Sequence, residues 1–297
     1  MDEIYLREEM LLGSEAMKKL KSAHVAVFGL GGVGSWCAES LARAGVGKLT
    51  LIDSDTFSYT NINRQSEALF STVGRPKAEV MAARIADINP EIEIIPMTGL
   101  YNAENRHLFF PVSHEASASA QEVCSRTQAP FASTPSASAS TPAASASTPS
   151  ASASTPPTSV SDPMIFASPR VKYDFVADCI DLVSCKLDLI MTCRSLGIPI
   201  ISALGTGNKK DAQQMCITDI SKTYGDALAR VMRKELRSRG VEHHTVVFSP
   251  EEPLEPEQRE APPPGRRSVP GSLVWVPAAA GLLMTQHIVT ELISEKC

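Results

Sequence analysis

HVAVFGLGGVGSWCAESLARAGVGKLTLID, residues 24–53, is the stretch whose reading decides the fold. Its opening, HVAVFGL (24–30), is apolar and rich in β-branched residues, which predicts a strand. SWCAESLARAG (35–45) then spaces Trp36, Ser40 and Ala44, and likewise Cys37 and Leu41, at helical intervals; KLTLID (48–53) predicts a second strand. Between strand and helix lies GLGGVG (29–34), a G-x-G-x-x-G loop. Glycine permits the tight turn and lets backbone approach a phosphate, while the helix start offers free N–H groups and a positive dipole end. Gly29, Gly31, Gly32 and Gly34 are therefore candidate nucleotide-binding residues. Asp53, nineteen residues past Gly34, ends the second strand, where a carboxylate can accept from ribose hydroxyls.

The alternation continues outward. KAEVMAARIADIN (77–89) predicts a helix, EIEIIPM (91–97) a strand, YDFVADCID (173–181) a strand, KLDLIMTCRSLG (186–197) a helix closed by glycine, and IPIISALG (198–205) a strand. The pattern predicts an α/β fold: a Rossmann-like, mainly parallel sheet with helices on both faces and further C-terminal strands and helices in the same domain. Residues 1–114 read as its nucleotide-binding half and 170–297 as the remainder. Between them, 115–169 repeats the unit ASASTP and has too few large apolar groups to offset its ordering entropy, so a disordered insert is expected there.

Composition narrows the function classes. With 297 residues and 43% hydrophobic content the chain can bury a sizeable core. A net charge of −5 excludes a general electrostatic nucleic-acid binder and leaves only a local basic patch. Seven cysteines, none in a CxxC pair, argue against a disulfide framework and against a four-thiolate zinc site. MDEIYLREEM (1–10) has no apolar leader core, and SLVWVPAAAGLLM (272–284) is interrupted by Pro277 and reads as a buried strand and helix rather than a membrane span. A cytoplasmic chain without membrane contact is expected.

TNINRQ (60–65) separates one nucleotide from another. A dinucleotide's pyrophosphate is largely satisfied by backbone amides and a helix dipole. A triphosphate carries more charge, and pyrophosphate departs as an anion when an adenylyl group is transferred, so cations and a metal become useful. Arg64 and, thirteen residues on, Lys77 in VGRPKAEV (73–80) supply the cations. ADCIDLV (177–183) supplies Asp178 and Asp181 at the C-terminal end of a strand, and Mg²⁺ takes one or two carboxylates together with phosphate oxygens and water.

GLGGVGS, LIDSDTFSYTNINRQ, VGRPKAEV and DCID, in this order and spacing, resemble the ThiF/MoeB family, bacterial relatives of ubiquitin-activating enzymes. The resemblance covers about residues 5–297 apart from the insert. It implies ATP held by Gly31, Gly32, Asp53, Asn61, Arg64 and Lys77, with Mg²⁺ on Asp181. It also implies a homodimer in which an arginine of the partner's N-terminal segment reaches the phosphates, a position that falls on Arg7. Members that activate sulfur carriers usually hold a structural zinc on two CxxC pairs; no such zinc is expected here.

Longer stretches are similar to another branch, the tRNA threonylcarbamoyladenosine dehydratases: REEMLLGSEAMKKLKSAHVAVFGLGGVGSW, ISALGTGNKKDAQQMCITDISKTYGDALARVMRKELRSRG (201–240), VVFSPEEP (246–253) and PGSLVWVPAAAGLLM (270–284). That branch implies adenylation of the threonylcarbamoyl carboxylate on adenosine 37 of a tRNA anticodon loop, then ring closure with loss of water. The alternative is adenylation of the C-terminal glycine of a ubiquitin-like sulfur carrier, with a sulfur-relay protein as partner. An NAD-dependent oxidoreductase is disfavoured by Arg64, Lys77 and Asp181, and a non-enzymatic nucleotide-sensing scaffold by the full set of ATP-site side chains. RNA needs a basic surface, and 228–239 predicts a helix with Leu228, Val231, Met232 and Leu236 on one side and Arg230, Arg233, Lys234 and Arg237 on the other. Lys209 and Lys210 are candidates to extend it. Cys216, in an apolar strand, is expected in the core, as are Cys179, Cys185 and Cys193; His243 and His244 are expected on a surface connection.

Overall fold

The computed structural model describes residues 3–110, 172–257, 259 and 269–294. The predicted 115–169 insert lies outside the described residues. Seven strands form one sheet: β1 (His24–Phe28), β2 (Lys48–Asp53), β3 (Glu93–Thr98), β4 (Phe175–Asp178), β5 (Ile200–Ala203), β6 (Cys216–Asp219) and β7 (Thr245–Phe248), in the order β3-β2-β1-β4-β5-β7-β6. All neighbours pair in parallel except β6, which runs antiparallel to β7 at one edge. Both described stretches, before residue 111 and after 171, therefore contribute to the same sheet.

Side-chain alternation assigns the two faces. Val25, Val27, Leu49, Leu51 and Val247 join the main core. Against them lie α2 (Ser14–Ser22), α3 (Gly34–Arg43), α4 (Lys77–Ile88) and α8 (Trp275–Ile293). On the opposite face Val246 and Phe248 meet α6 (Val183–Leu196) and α7 (Ala227–Ser238). Phe28 meets Tyr101 there at 5.2 Å and Phe110 at 5.7 Å, and Phe110 meets Tyr173 edge-on at 5.6 Å. A short α1 (Leu6–Leu12) and a single turn, α5 (Arg106–Phe109), complete the α-helices among the described residues. Full burial of β1 follows from helices covering both faces of a parallel sheet, which is why HVAVF reads as a continuous apolar run.

The C-terminal apolar run corrects a sequence expectation. Trp275–Ile293 is one helix rather than a strand and a helix, and Pro277 does not break it. Proline fits the first turn of a helix, where its missing N–H has no intrahelical partner in any case. By length and composition this helix could cross a membrane, with a mean hydropathy of 1.2. Here Val276, Ala280, Gly281, Met284, Thr285 and Ile288 form its buried stripe, and Thr285 bonds Ser40 and the Cys37 carbonyl on α3. Gly281 lets the two helices approach: a Cβ there would stand 2.6 Å from the Val33 carbonyl and 2.9 Å from the Cys37 nitrogen. Gly281→Ala is therefore expected to destabilise the fold by about 1–3 kcal/mol through overpacking. A thermal melt reads this as a midpoint lowered by several degrees, and an unchanged midpoint would mean the helices separate freely.

Candidate functional site

The strand order reverses between β1 and β4, so a crevice opens at the C-terminal ends of these two strands, the usual ligand position in such a sheet. The glycine loop leaves β1 into it. Gly29 has φ +88°, and a Cβ there would lie 2.8 Å from the Cys179 carbonyl, so only glycine fits. Above Gly31 the nearest atom to a built Cβ is Gln65 Nε2 at 4.0 Å, which leaves this backbone approachable by a ligand. Asp53 ends β2 and braces the loop: its Oδ2 accepts from the Leu30 amide at 2.6 Å and its Oδ1 from the Asp55 amide at 2.8 Å. Each oxygen keeps further acceptor capacity.

The polar clamp TNINRQ folds as a short 3₁₀ turn, Tyr59–Asn61, followed by the segment that carries Arg64 and Gln65. A reciprocal cap sets the turn, with Asn61 Oδ1 accepting from the Ser58 amide at 3.1 Å. Trp36 on α3 holds the Arg64 segment in place by donating to the Arg64 carbonyl at 3.1 Å. The Arg64 stem crosses Gly32, its Cγ 3.7 Å from a Cβ built there, and Nη1 donates to the Thr60 carbonyl at 2.7 Å and to Asn63 Oδ1 at 3.1 Å. Partial burial lowers its pKa from the ordinary value. Lys77 opens α4 nearly buried, and Nζ donates to the exposed carboxylate of Asp55 at 3.1 Å. Arg64 thus stands against Gly32 with Asn61 in the turn before it, while Asp53 braces the loop at Leu30 and Lys77 is linked to that end of β2 through Asp55.

At the end of β4 two aspartates separate in kind. Asp178 is fully buried: Oδ2 accepts from Lys186 Nζ at 2.8 Å and from Ser202 at 2.6 Å, and Oδ1 from the Ile180 amide at 3.1 Å. His244 Nε2 lies 2.8 Å from the same Ser202 hydroxyl. This network corrects two readings: Asp178 is tied into the core instead of offered to a metal, and His244 is buried rather than on the surface. Asp181 is exposed at the mouth of the crevice, one residue before Leu182 caps α6. Among the described residues no group of three or more His, Cys, Asp or Glu gathers in metal-binding fashion. The donor set at this strand end is one exposed carboxylate beside an approachable glycine loop, which suits Mg²⁺ carried in with phosphate oxygens and water.

Other predicted residues lie elsewhere. Arg7 is exposed on α1, whose neighbour Tyr5 donates to the Ala42 carbonyl at 3.0 Å. Ala42 is near the end of α3, whereas the crevice lies at its start, so Arg7 does not join this chain's own site. Lys209 is buried, its Nζ 2.9 Å from Asp226 Oδ2 and 2.9 Å from the Ser249 carbonyl, and is corrected to a core ion pair; Lys210 is exposed. On α7 the buried stripe is Ala229, Met232 and Leu236, with Val231 exposed. Arg230, Arg233, Lys234 and Arg237 line one shallow depression with Ser238. Arg233 departs from the expected free face, because its Nη1 donates to the Thr223 carbonyl and hydroxyl, both at 2.6 Å. Cys216 is exposed on the edge strand β6, against the core expectation, while Cys185 and Cys193 are buried and Cys179 is half-buried. Burial raises the Cys179, Cys185, Cys193 and Cys216 thiols, so none is an activated thiolate.

Sequence reasoning included Gln65 in the polar clamp without giving it a role, and it missed Glu67. Both are buried, and Gln65 Oε1 and Glu67 Oε2 have no hydrogen-bond partner. Burial pushes the Glu67 carboxyl up from 4.5 to about 8, so it is protonated in the native chain at neutral pH. Because the folded value is the higher one, its stabilisation is complete below about pH 4.5 and is lost as pH rises through about 8. His24 and His244 act in the opposite sense: burial pushes them down to about 4 and about 3, and their contribution disappears as pH falls through those values. Replacing Glu67→Gln removes the carboxyl while keeping its shape. The variant should gain stability relative to the parent between pH 5.5 and pH 8, read from denaturant unfolding at each pH; a pH-independent difference would show that Glu67 does not hold its proton.

Comparison with known proteins finds relatives along almost the whole chain. The ThiF family matches residues 5–119. The tRNA threonylcarbamoyladenosine dehydratase of Bacillus subtilis (strain 168) is 34% identical over 300 residues, which cover 98% of this chain and 95% of that protein. The Escherichia coli (strain K12) protein of the same name is 33% identical over 77% of this chain and 63% of its own length. The crystal structure of the E. coli tRNA N6-threonylcarbamoyladenosine dehydratase TcdA in complex with ATP superposes with a TM-score of 0.71 at 29% identity, covering 98% of this chain and 94% of that one. Molybdopterin-synthase adenylyltransferase of Salmonella typhimurium is 46% identical, but over only 31% of this chain.

Proposed function

Since this chain belongs to the ThiF family, among its tRNA threonylcarbamoyladenosine dehydratases, we propose that its crevice binds Mg·ATP and adenylates the threonylcarbamoyl carboxylate of adenosine 37 in tRNA. The observation that carries this reading is the glycine loop at the β1/β4 switch point, with Asp53 bonded to Leu30 within it and Arg64 standing against Gly32. Asp53 accepts from the ribose, and the loop amides and the start of α3 cradle the phosphates. Asn61, whose Oδ1 is taken by the Ser58 amide, would offer its side-chain N–H groups to the same phosphates. Arg64 and Lys77 neutralise the triphosphate; Asp55, exposed beside Lys77, lets a phosphate share that ammonium. Asp181 would hold Mg²⁺, which when bound draws charge from the departing pyrophosphate.

The substrate carboxylate attacks the α-phosphorus, and the bond from that phosphorus to the oxygen bridging to the β-phosphorus breaks. Attack of the carbamoyl group on the acyl adenylate closes the ring and releases AMP. Water is lost overall, its oxygen leaving on AMP. Arg230, Lys234 and Arg237 offer phosphate contacts for the anticodon stem and loop, beside Arg233, whose guanidinium is held to Thr223. A homodimer supplies Arg7 of the second copy to the phosphates, since Arg7 lies away from its own crevice. The two described stretches act as one domain, and the reaction belongs to the compartment that holds tRNA, the cytoplasm.

Calorimetry with Mg·ATP and with NAD tests the nucleotide choice, since Arg64 and Lys77 suit a triphosphate: tight Mg·ATP and weak NAD binding are expected, and tighter NAD would overturn adenylation.

A further inference from the structure

The segment leading into α8 joins three parts of the crevice. Ser272 accepts from Asn63 of the clamp at 2.9 Å, and Pro277 stands 3.2 Å from a Cβ built on Gly32 of the glycine loop. Trp275, between them, donates its indole N–H to the Lys210 carbonyl in the loop after β5 at 2.7 Å. That bond fixes the ring's orientation, yet Trp275 remains 50% exposed, alongside Val274 at 40% and Leu273 at 37%. A large, rigid, half-open aromatic face at a ligand crevice calls for an occupant.

The sheet order says which. Asp53, the ribose residue, ends β2 on one side of β1, whereas Lys210 follows β5 on the other. Three strand spacings of about 4.8 Å separate these strands, about 14 Å in all. The adenine end of ATP therefore lies away from Trp275, and the indole faces the side from which the acceptor carboxylate approaches the α-phosphorus. Arg64, which stands against Gly32 beside Pro277, brings a cation to where the two sides meet, and the Lys210 side chain is exposed beyond it, with the Glu251 carboxylate taken up by the Lys210 and Asp211 amides; a polyanion with unstacked bases fits that path.

We propose that Trp275 is a stacking platform for a base of the single-stranded RNA substrate, at or next to the nucleoside being adenylated; this rests on the adenylation of tRNA by this same crevice. Stacking is indifferent to base identity, so the indole positions the substrate while the carboxylate chemistry selects it.

The chain has two tryptophans, and Trp36 is half-buried and bonded to the Arg64 carbonyl, so fluorescence of the full chain isolates Trp275 when compared with Trp275→Leu. Titration with tRNA bearing threonylcarbamoyladenosine should quench the parent and leave Trp275→Leu unquenched. The leucine variant should raise the KM for tRNA by about five- to a hundredfold, and Trp275→Phe, which keeps a ring, should restore most of it. Affinity for Mg·ATP without tRNA should be unchanged in both. Quenching by Mg·ATP alone would assign the ring to adenine and overturn the proposal, as would an oligomeric state altered by Trp275→Leu, which would assign it to a second copy. If parent and leucine variant modify tRNA with equal KM, the platform fails while the function stands; if the parent modifies no tRNA, the function itself fails.

Discussion

Asp181→Asn is expected to slow AMP formation by about 10²–10³-fold, the usual cost of removing one electrostatic stabiliser of a transition state. The amide has nearly the volume of the carboxylate and the residue is exposed, so folding should survive. The loss should fall mainly on turnover, because the charge that Asp181 would help to balance grows as pyrophosphate departs. Calorimetric affinity for ATP in the absence of Mg²⁺ should match the parent, while the gain in affinity that Mg²⁺ brings should shrink. Near-parental turnover in a folded variant would reduce Asp181 to a residue of the α6 approach.

Lys186→Met carries the second large effect, on stability. Lys186 and Asp178 are both fully buried and paired at 2.8 Å. Removing the lysine alone leaves an uncompensated carboxylate in the core, which costs about 3–5 kcal/mol. Removing both charges, as Lys186→Met with Asp178→Asn, should recover much of that loss, because burying a pair gains little over burying neutral groups. Denaturant unfolding of the parent, the single and the double variant decides between this and a purely local packing defect, for which the double variant would be no better than the single. Since Asp178 also accepts from the Ile180 amide, the pair shapes the turn that leads to Asp181.

How far the sequence could be read depended on whether each feature is local. The strand–loop–helix–strand of 24–53 was legible because β-branched runs, glycine spacing and helical periodicity are all local signals, and β2 begins and ends where KLTLID does. In the clamp only the residue types were legible: Asn61, Arg64 and Lys77 could be read as amide and cations after a glycine loop, but their partners Ser58, Thr60 and Asp55 could not. Burial was less legible. Lys209 looked like a surface cation because its partner, Asp226, lies seventeen residues away on another element. Arg233 looked like one of four equivalent cations because Thr223, which it caps, lies in a preceding turn. Lys186 carried a readable signal, since it shares a helical face with Ile190 and Cys193 inside an apolar run, and a charge there must find a partner. Cys216 misled because an apolar strand at a sheet edge buries only one side. Pro277 misled because proline breaks a helix interior but suits its first turn.

The central claim is tested most directly by incubating the full chain with Mg·ATP and tRNA that bears threonylcarbamoyladenosine, then digesting the tRNA and weighing its nucleosides. The account predicts that the modified nucleoside loses the mass of one water, in step with release of AMP and pyrophosphate. An unchanged nucleoside, with ATP–pyrophosphate exchange appearing only when a ubiquitin-like protein ending in Gly-Gly is supplied, would contradict it.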